Sequence, residues 1–134
     1  MIYGQLQYYH DELNAWAEVV KFRKGEVQEL LRQVNVLLNF PVVSIPVSKA
    51  GDTFMNRLIV LEQQFDHLRN HFTHQVQRLE RVSSPDGVDS ATIQVQCSLR
   101  NKTKTCEITF IKAKYDCSVF LSEFFEANAV HHHV

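Results

Sequence analysis

The stretch from Thr92 to Tyr115 reads TIQVQCSLRNKTKTCEITFIKAKY, and the fold class turns on it. From Thr92 to Leu99 polar and apolar residues alternate at every step, the period of a half-buried strand. Arg100-Asn101-Lys102-Thr103 is a polar turn. Cys106, Ile108 and Phe110 then alternate with Thr105, Glu107 and Thr109, and the phase flips at Ile111 as it does at a β-bulge. Folding the two runs about the turn sets Ile93 opposite Phe110, Val95 opposite Ile108 and Cys97 opposite Cys106, all on the apolar face. Gln94, Gln96 and Ser98 meet Thr109, Glu107 and Thr105 on the other face. Two alternations that agree through one turn predict a β-hairpin over 91–99 and 104–115.

A competing pattern runs through the same residues. Leu99, Thr103, Cys106, Phe110, Ala113, Cys117, Phe120 and Phe124 have the three-and-four spacing of one helix face. It strands Ile108 and Ile111 off the seam, and the Thr, Ile and Val content favours strands. The hairpin is therefore the preferred reading, and an all-α three- or four-helix bundle is the alternative.

The residues before this stretch carry clearer signals. Between Gln5 and Phe40 there is no proline, and Leu6, Leu13, Val20, Val27 and Val34 recur every seventh residue, with Tyr9, Trp16, Leu30 and Leu37 on a second seam. Arg23 alone breaks that second series. This is a coiled-coil-like heptad and predicts a helix over 5–40 running through Gly25. Pro41 and Pro46 bracket an extended segment in a loop over 41–51. Phe54, Leu58, Leu61, Phe65, Leu68, Phe72 and Leu79 then mark a helix over 52–83, capped by Asp52 or Thr53 and stopped by Ser83-Ser84-Pro85-Asp86-Gly87. After the hairpin, Asp116 is the expected cap of a short helix over 117–128, followed by a flexible tail over 129–134. The expected fold is α+β in a single domain: a long antiparallel helical hairpin, a β-hairpin and a closing helix.

Composition narrows the functional classes. The chain has 134 residues, 45% apolar and 22% charged, with a formal net charge of −1. That excludes a disordered chain and a general attraction to nucleic acid. No apolar run is long enough to span a membrane, and the first twenty residues have no basic leader, so a cytoplasmic location is expected. Locally the balance differs: over 91–115, Arg100, Lys102, Lys104, Lys112 and Lys114 face Glu107 alone, a balance of +4. A basic hairpin can meet phosphate, but no aromatic residues interleave its outward face, so nucleic acid is not the expected partner.

Three groups of residues are candidates for chemistry or contact. On the helical wheel Tyr8, Val19, Leu30 and Leu37 flank the main seam of the first helix. A stripe that wide asks for a second neighbour, either the C-terminal segment or another copy of the chain, and self-association as a homo-oligomer is the expected use of it. His67, His71 and His74 share one stripe of the second helix, where imidazoles at i and i+4 can hold one metal. No H-E-x-x-H motif accompanies them, and no cofactor is expected. Cys97 and Cys106, as cross-strand neighbours about 4.5–5.5 Å apart, would be within disulfide reach. Without C-x-x-C pairs, small buried reduced thiols are the plainer expectation. No glycine-rich phosphate loop or nucleophile motif is present. The chain thus reads as a non-enzymatic protein–protein interaction protein, partnering itself or another protein.

Overall fold

The computed structural model describes residues 2–82 and 87–132, and three helices account for nearly all of them. They are α1 (Ile2–Leu38), α2 (Ile45–Glu80) and α3 (Ser90–His132). Among the described residues there is no strand. The expected α+β class is therefore corrected to an all-helical bundle. The hairpin over 91–99 and 104–115, the helix over 117–128 and the first part of the expected tail are one continuous helix of 43 residues.

The reason lies in which residues α3 buries. Thr92, Gln96, Leu99, Thr103, Phe110, Ala113, Cys117, Leu121 and Phe124 are buried, and half-buried Cys106 fills the gap between Thr103 and Phe110. Those positions step by three and four, so they form one face of a helix. Three of them are polar. Meanwhile Ile108, Ile111, Tyr115 and Val119 are exposed. Polar residues inside and apolar residues outside erase the helical period and leave an accidental alternation of two. Asp116, read as a cap, sits in mid-helix, where its carboxylate accepts from Arg57 of α2 and Lys112.

The first two helices follow their heptads. Leu13, Val20, Val27, Leu30, Val34 and Leu37 of α1 pack on Leu58, Leu61, Phe65, Leu68, Phe72 and Leu79 of α2 in one core. α1 passes through Gly25 without a break. The connection is shorter than expected, because α2 begins at Ile45. Ser44 sits in extended backbone (φ −68°, ψ 156°) and its hydroxyl accepts from the Val47 amide at 3.3 Å. Pro46 falls in the first turn, where its missing N–H costs nothing. Gly51 is buried where α2 approaches the end of α1. A Cβ there would lie 2.7 Å from a Leu38 methyl, so the helices meet at glycine distance. α2 ends at Glu80 with Arg81 as its cap. Most of the stop signal over 83–87 lies outside the described residues. Gly87 has φ +127°, a conformation that favours glycine. The Asp89 carboxylate then accepts from the Thr92 amide at 2.7 Å and opens α3.

Cross-helix contacts give the topology. Trp16 meets Phe72 with ring centroids 5.9 Å apart, and Lys24 pairs with Asp66 at 2.5 Å, so α1 and α2 are antiparallel. Phe65 meets Phe110 at 6.1 Å and Phe54 stacks on Phe120 at 5.0 Å, so α2 and α3 are antiparallel. The chain runs up, down and up, and α1 and α3 lie side by side in the same direction. At 1.5 Å per residue α3 is about 65 Å long.

Candidate interaction surface

Because α1 and α3 are parallel neighbours, one face of the bundle consists of these two helices, with α2 behind them. Three ion pairs draw the seam between them. Arg100 donates from Nη2 to Glu12 Oε1 at 2.6 Å and from Nε to Glu12 Oε2 at 2.8 Å. Arg23 donates from Nε to both oxygens of Glu107, at 2.9 and 3.0 Å, and from Nη1 to Glu26 at 2.7 Å. Lys114 donates to the other oxygen of Glu26. The Arg23 guanidinium also lies 5.0 Å from the centre of the Phe110 ring. Arg23 thus breaks the α1 heptad because it bridges to α3 over an aromatic floor.

Burial opposes ionisation of Glu12 and Glu26. Hydrogen bonds from Arg100 and Gln96 to the first, and from Lys114 and Arg23 to the second, outweigh that and hold both carboxyls below their ordinary range. The Arg100 guanidinium is raised in turn, chiefly by its hydrogen bonds to Glu12. Glu12 and Glu26 are therefore ionised near neutral pH, and along the seam three basic side chains face three carboxylates.

Outside this seam the face carries apolar side chains set among charged ones. On α1, Tyr8, Val19, Phe22 and Val36 are exposed, with Phe22 at 65%. On α3, Ile108 (60%), Ile111 (52%), Tyr115 (70%) and Val119 fall within about 80° of arc. Isolated exposed apolar residues such as Tyr8 and Val36 are ordinary, but a contiguous row like that on α3 marks a contact surface. The side chains of Ile108 and Ile111, taken as sheet residues from sequence, are members of this row. The missed signal is their spacing with Tyr115, three and then four residues, which is a second helical stripe.

The structure divides the four residues expected to form the self-association flank. Tyr8 and Val19 are exposed on this face, whereas Leu30 and Leu37 are buried in the core of one chain. The wide stripe of α1 is wide because it meets both α2 and α3.

The other candidates separate as well. His67, His71 and His74 are exposed along α2. His67 and His71 line a shallow groove of about 380 Å³ between α2 and α3, together with Gln64, Asn101, Lys102 and Cys106. Among the described residues no group of three or more His, Cys, Asp or Glu side chains is placed to hold a metal ion. Cys97 and Cys106 lie nine positions apart on one helix, a rise of about 13 Å, so the expected cross-strand pair is corrected to two separate free thiols. Cys97 is exposed and touches Arg100. Burial raises the Cys106 thiol, and burial pushes that of Cys117 up to about 11 against the opposing effect of Arg57. The lysines of the expected basic hairpin are spread along α3, and Lys112 and Lys114 are engaged by Asp116 and Glu26. No described helix is long and apolar enough to cross a membrane.

Comparison with known proteins finds no matching family model, no matching curated protein and no matching solved structure.

Proposed function

We propose that this chain is a non-enzymatic assembly protein that self-associates through its long helices. The observation that carries the reading is the exposed apolar surface on α1 and α3, with Phe22, Ile108, Ile111 and Tyr115 each more than half exposed. The core needs none of these residues, because it is already continuous from Tyr9 to Phe124. Retaining large apolar side chains in water gains a lone chain nothing, whereas covering them contributes roughly 25 cal/mol per Å² of apolar area removed from water. Sedimentation equilibrium across a concentration series tests this. The expected result is a concentration-dependent shift from monomer to a closed oligomer. A chain that stays monomeric at several hundred micromolar overturns the reading.

A further inference from the structure

The face formed by α1 and α3 is self-complementary in a specific way. Three ion pairs fix the relative height of the helices. Arg23 is level with Glu107, 84 residues on, and Glu12 and Glu26 are joined to Arg100 and Lys114, each 88 residues on. Midway between those offsets, Glu18 is level with Lys104, Phe22 with Ile108, Gly25 with Ile111 and Glu29 with Tyr115. On the helical wheels Glu18, Phe22, Glu29, Lys104, Ile108, Ile111 and Tyr115 all fall on the sides turned away from α2.

A two-fold axis parallel to the helices would lay α1 of one copy over α3 of the other, in the same direction and at the same height. Each level pair then becomes a contact between copies. We infer that two copies of this chain pair in parallel through the α1/α3 face, Phe22 of each packing against Ile108 and Ile111 of the other while Glu18 meets Lys104.

Charge and space both fit this arrangement. Neither Glu18 nor Lys104 makes an ion pair among the described residues, and both are exposed. Gly25 has nothing within 4 Å of where a Cβ would stand, and it lines a surface notch with Glu18, Phe22, Glu26 and Glu29. That notch is level with Ile111. The Tyr115 hydroxyl can donate to the Glu29 carboxylate of the second copy. An antiparallel pairing, by contrast, would lay α1 on α1 and α3 on α3 and separate every one of these pairs. From Tyr8 to Val36 the face is about 42 Å long and about 20 Å across two helices. That footprint, roughly 800 Å² per copy, is what a standard stable interface needs.

This inference rests on the self-association proposed above, and the experiment separates the two. Dimer dissociation constants are measured by sedimentation for the full chain, Phe22→Asp, Glu18→Lys, Lys104→Glu and the double variant Glu18→Lys/Lys104→Glu, with circular dichroism to verify folding. All three positions are on the surface, so the folded monomer is expected to survive each change. Phe22→Asp is expected to weaken the dimer about thirtyfold or more. Each single charge reversal should weaken it about tenfold, and the double reversal should restore it to within about threefold.

Orientation is read from a nitroxide at Lys49→Cys in a Cys97→Ser/Cys106→Ser background, on the exposed start of α2 and away from the paired face. Parallel copies hold the two labels about 40 Å apart, and antiparallel copies hold them more than about 60 Å apart. A dimer indifferent to the charge reversals, or with the long label distance, overturns the parallel α1/α3 pairing and leaves self-association standing. A chain that is monomeric throughout overturns both.

Discussion

At one end of the bundle Gln75, Gln96, Glu12 and Arg100 join the three helices by hydrogen bonds. At the other, ring contacts join Phe54 of α2 to Phe120 of α3, and Phe40, just past the end of α1, to Phe124 and Phe125 of α3. The polar end is fully partnered. Gln75 Nε2 donates to Thr92 O and to Gln96 Oε1, both at 3.0 Å, and Gln75 Oε1 accepts from Arg78 at 3.3 Å. Gln96 Nε2 in turn donates to Tyr9 O at 3.3 Å and to Glu12 Oε1 at 3.1 Å. Every amide hydrogen and oxygen of these two buried residues is used. The aromatic end relies on area and shape. Phe124 meets Phe40 edge-on at 5.4 Å and Phe125 at 5.3 Å. Hydrogen bonds are directional and fail when one helix slips by a residue, whereas ring contacts tolerate adjustment. The polar end therefore resists a one-residue slip more sharply than the aromatic end, which contributes chiefly adhesion.

The largest effect is expected at the aromatic end. Phe124→Ala removes a buried ring and should lower the free energy of unfolding by about 3–5 kcal/mol, read by urea denaturation followed by circular dichroism. A loss under about 1 kcal/mol would show that this end is not part of the cooperative core.

At the polar end, Gln96→Ala should cost about 2–3 kcal/mol, because Gln75 and Glu12 each lose a partner in a buried site. The double variant Gln75→Leu/Gln96→Leu sharpens the contrast. It removes both amides together, and its cost should fall short of the sum of the two single leucine variants by about 1 kcal/mol or more. Strict additivity would mean that the two amides do not act as a unit.

Acid should weaken the two ends unequally. The folded chain holds the Glu12 carboxyl below its ordinary value of 4.5, so its contribution is complete above that value and is lost as pH falls through the lower folded value. Glu12→Gln is therefore expected to be less stable near neutral pH and to show a shallower decline of stability below about pH 5. An unchanged acid limb in that variant would remove Glu12 from the network. The smallest expected effect lies between the ends, at Thr103, whose buried hydroxyl has no hydrogen-bond partner. Thr103→Val should stabilise the chain by about 1 kcal/mol, as a rise in the thermal midpoint.

Legibility in the sequence followed the same division. α1 and α2 bury apolar residues at heptad positions, so their existence was readable from spacing and their antiparallel pairing from the short connection between them. The polar end hid α3. Thr92 and Gln96 read as the outward face of a strand, yet both are buried; for Gln96 the partners are Gln75, Tyr9 and Glu12, distant in sequence. The exposed Ile108 and Ile111 misled in the opposite sense: a pattern rule takes β-branched apolar residues for core. Of the interaction surface, Tyr8 and Val19 were visible as residues off the α1 seam. Phe22, Ile108 and Ile111 could be placed together only after α3 was known to be a helix parallel to α1.

By itself the sequence determined two long amphipathic helices, their antiparallel pairing and a balanced charge with a basic third segment. Those properties are local: a repeat of three and four, a stretch free of proline and a short connection between two such stretches. Tertiary structure decided the state of residues 90–132. The side chains of Gln75 and Gln96 go inside because donors and acceptors on other helices complete their hydrogen bonds. Those partners lie 17 to 87 residues away along the chain, beyond the reach of any local period.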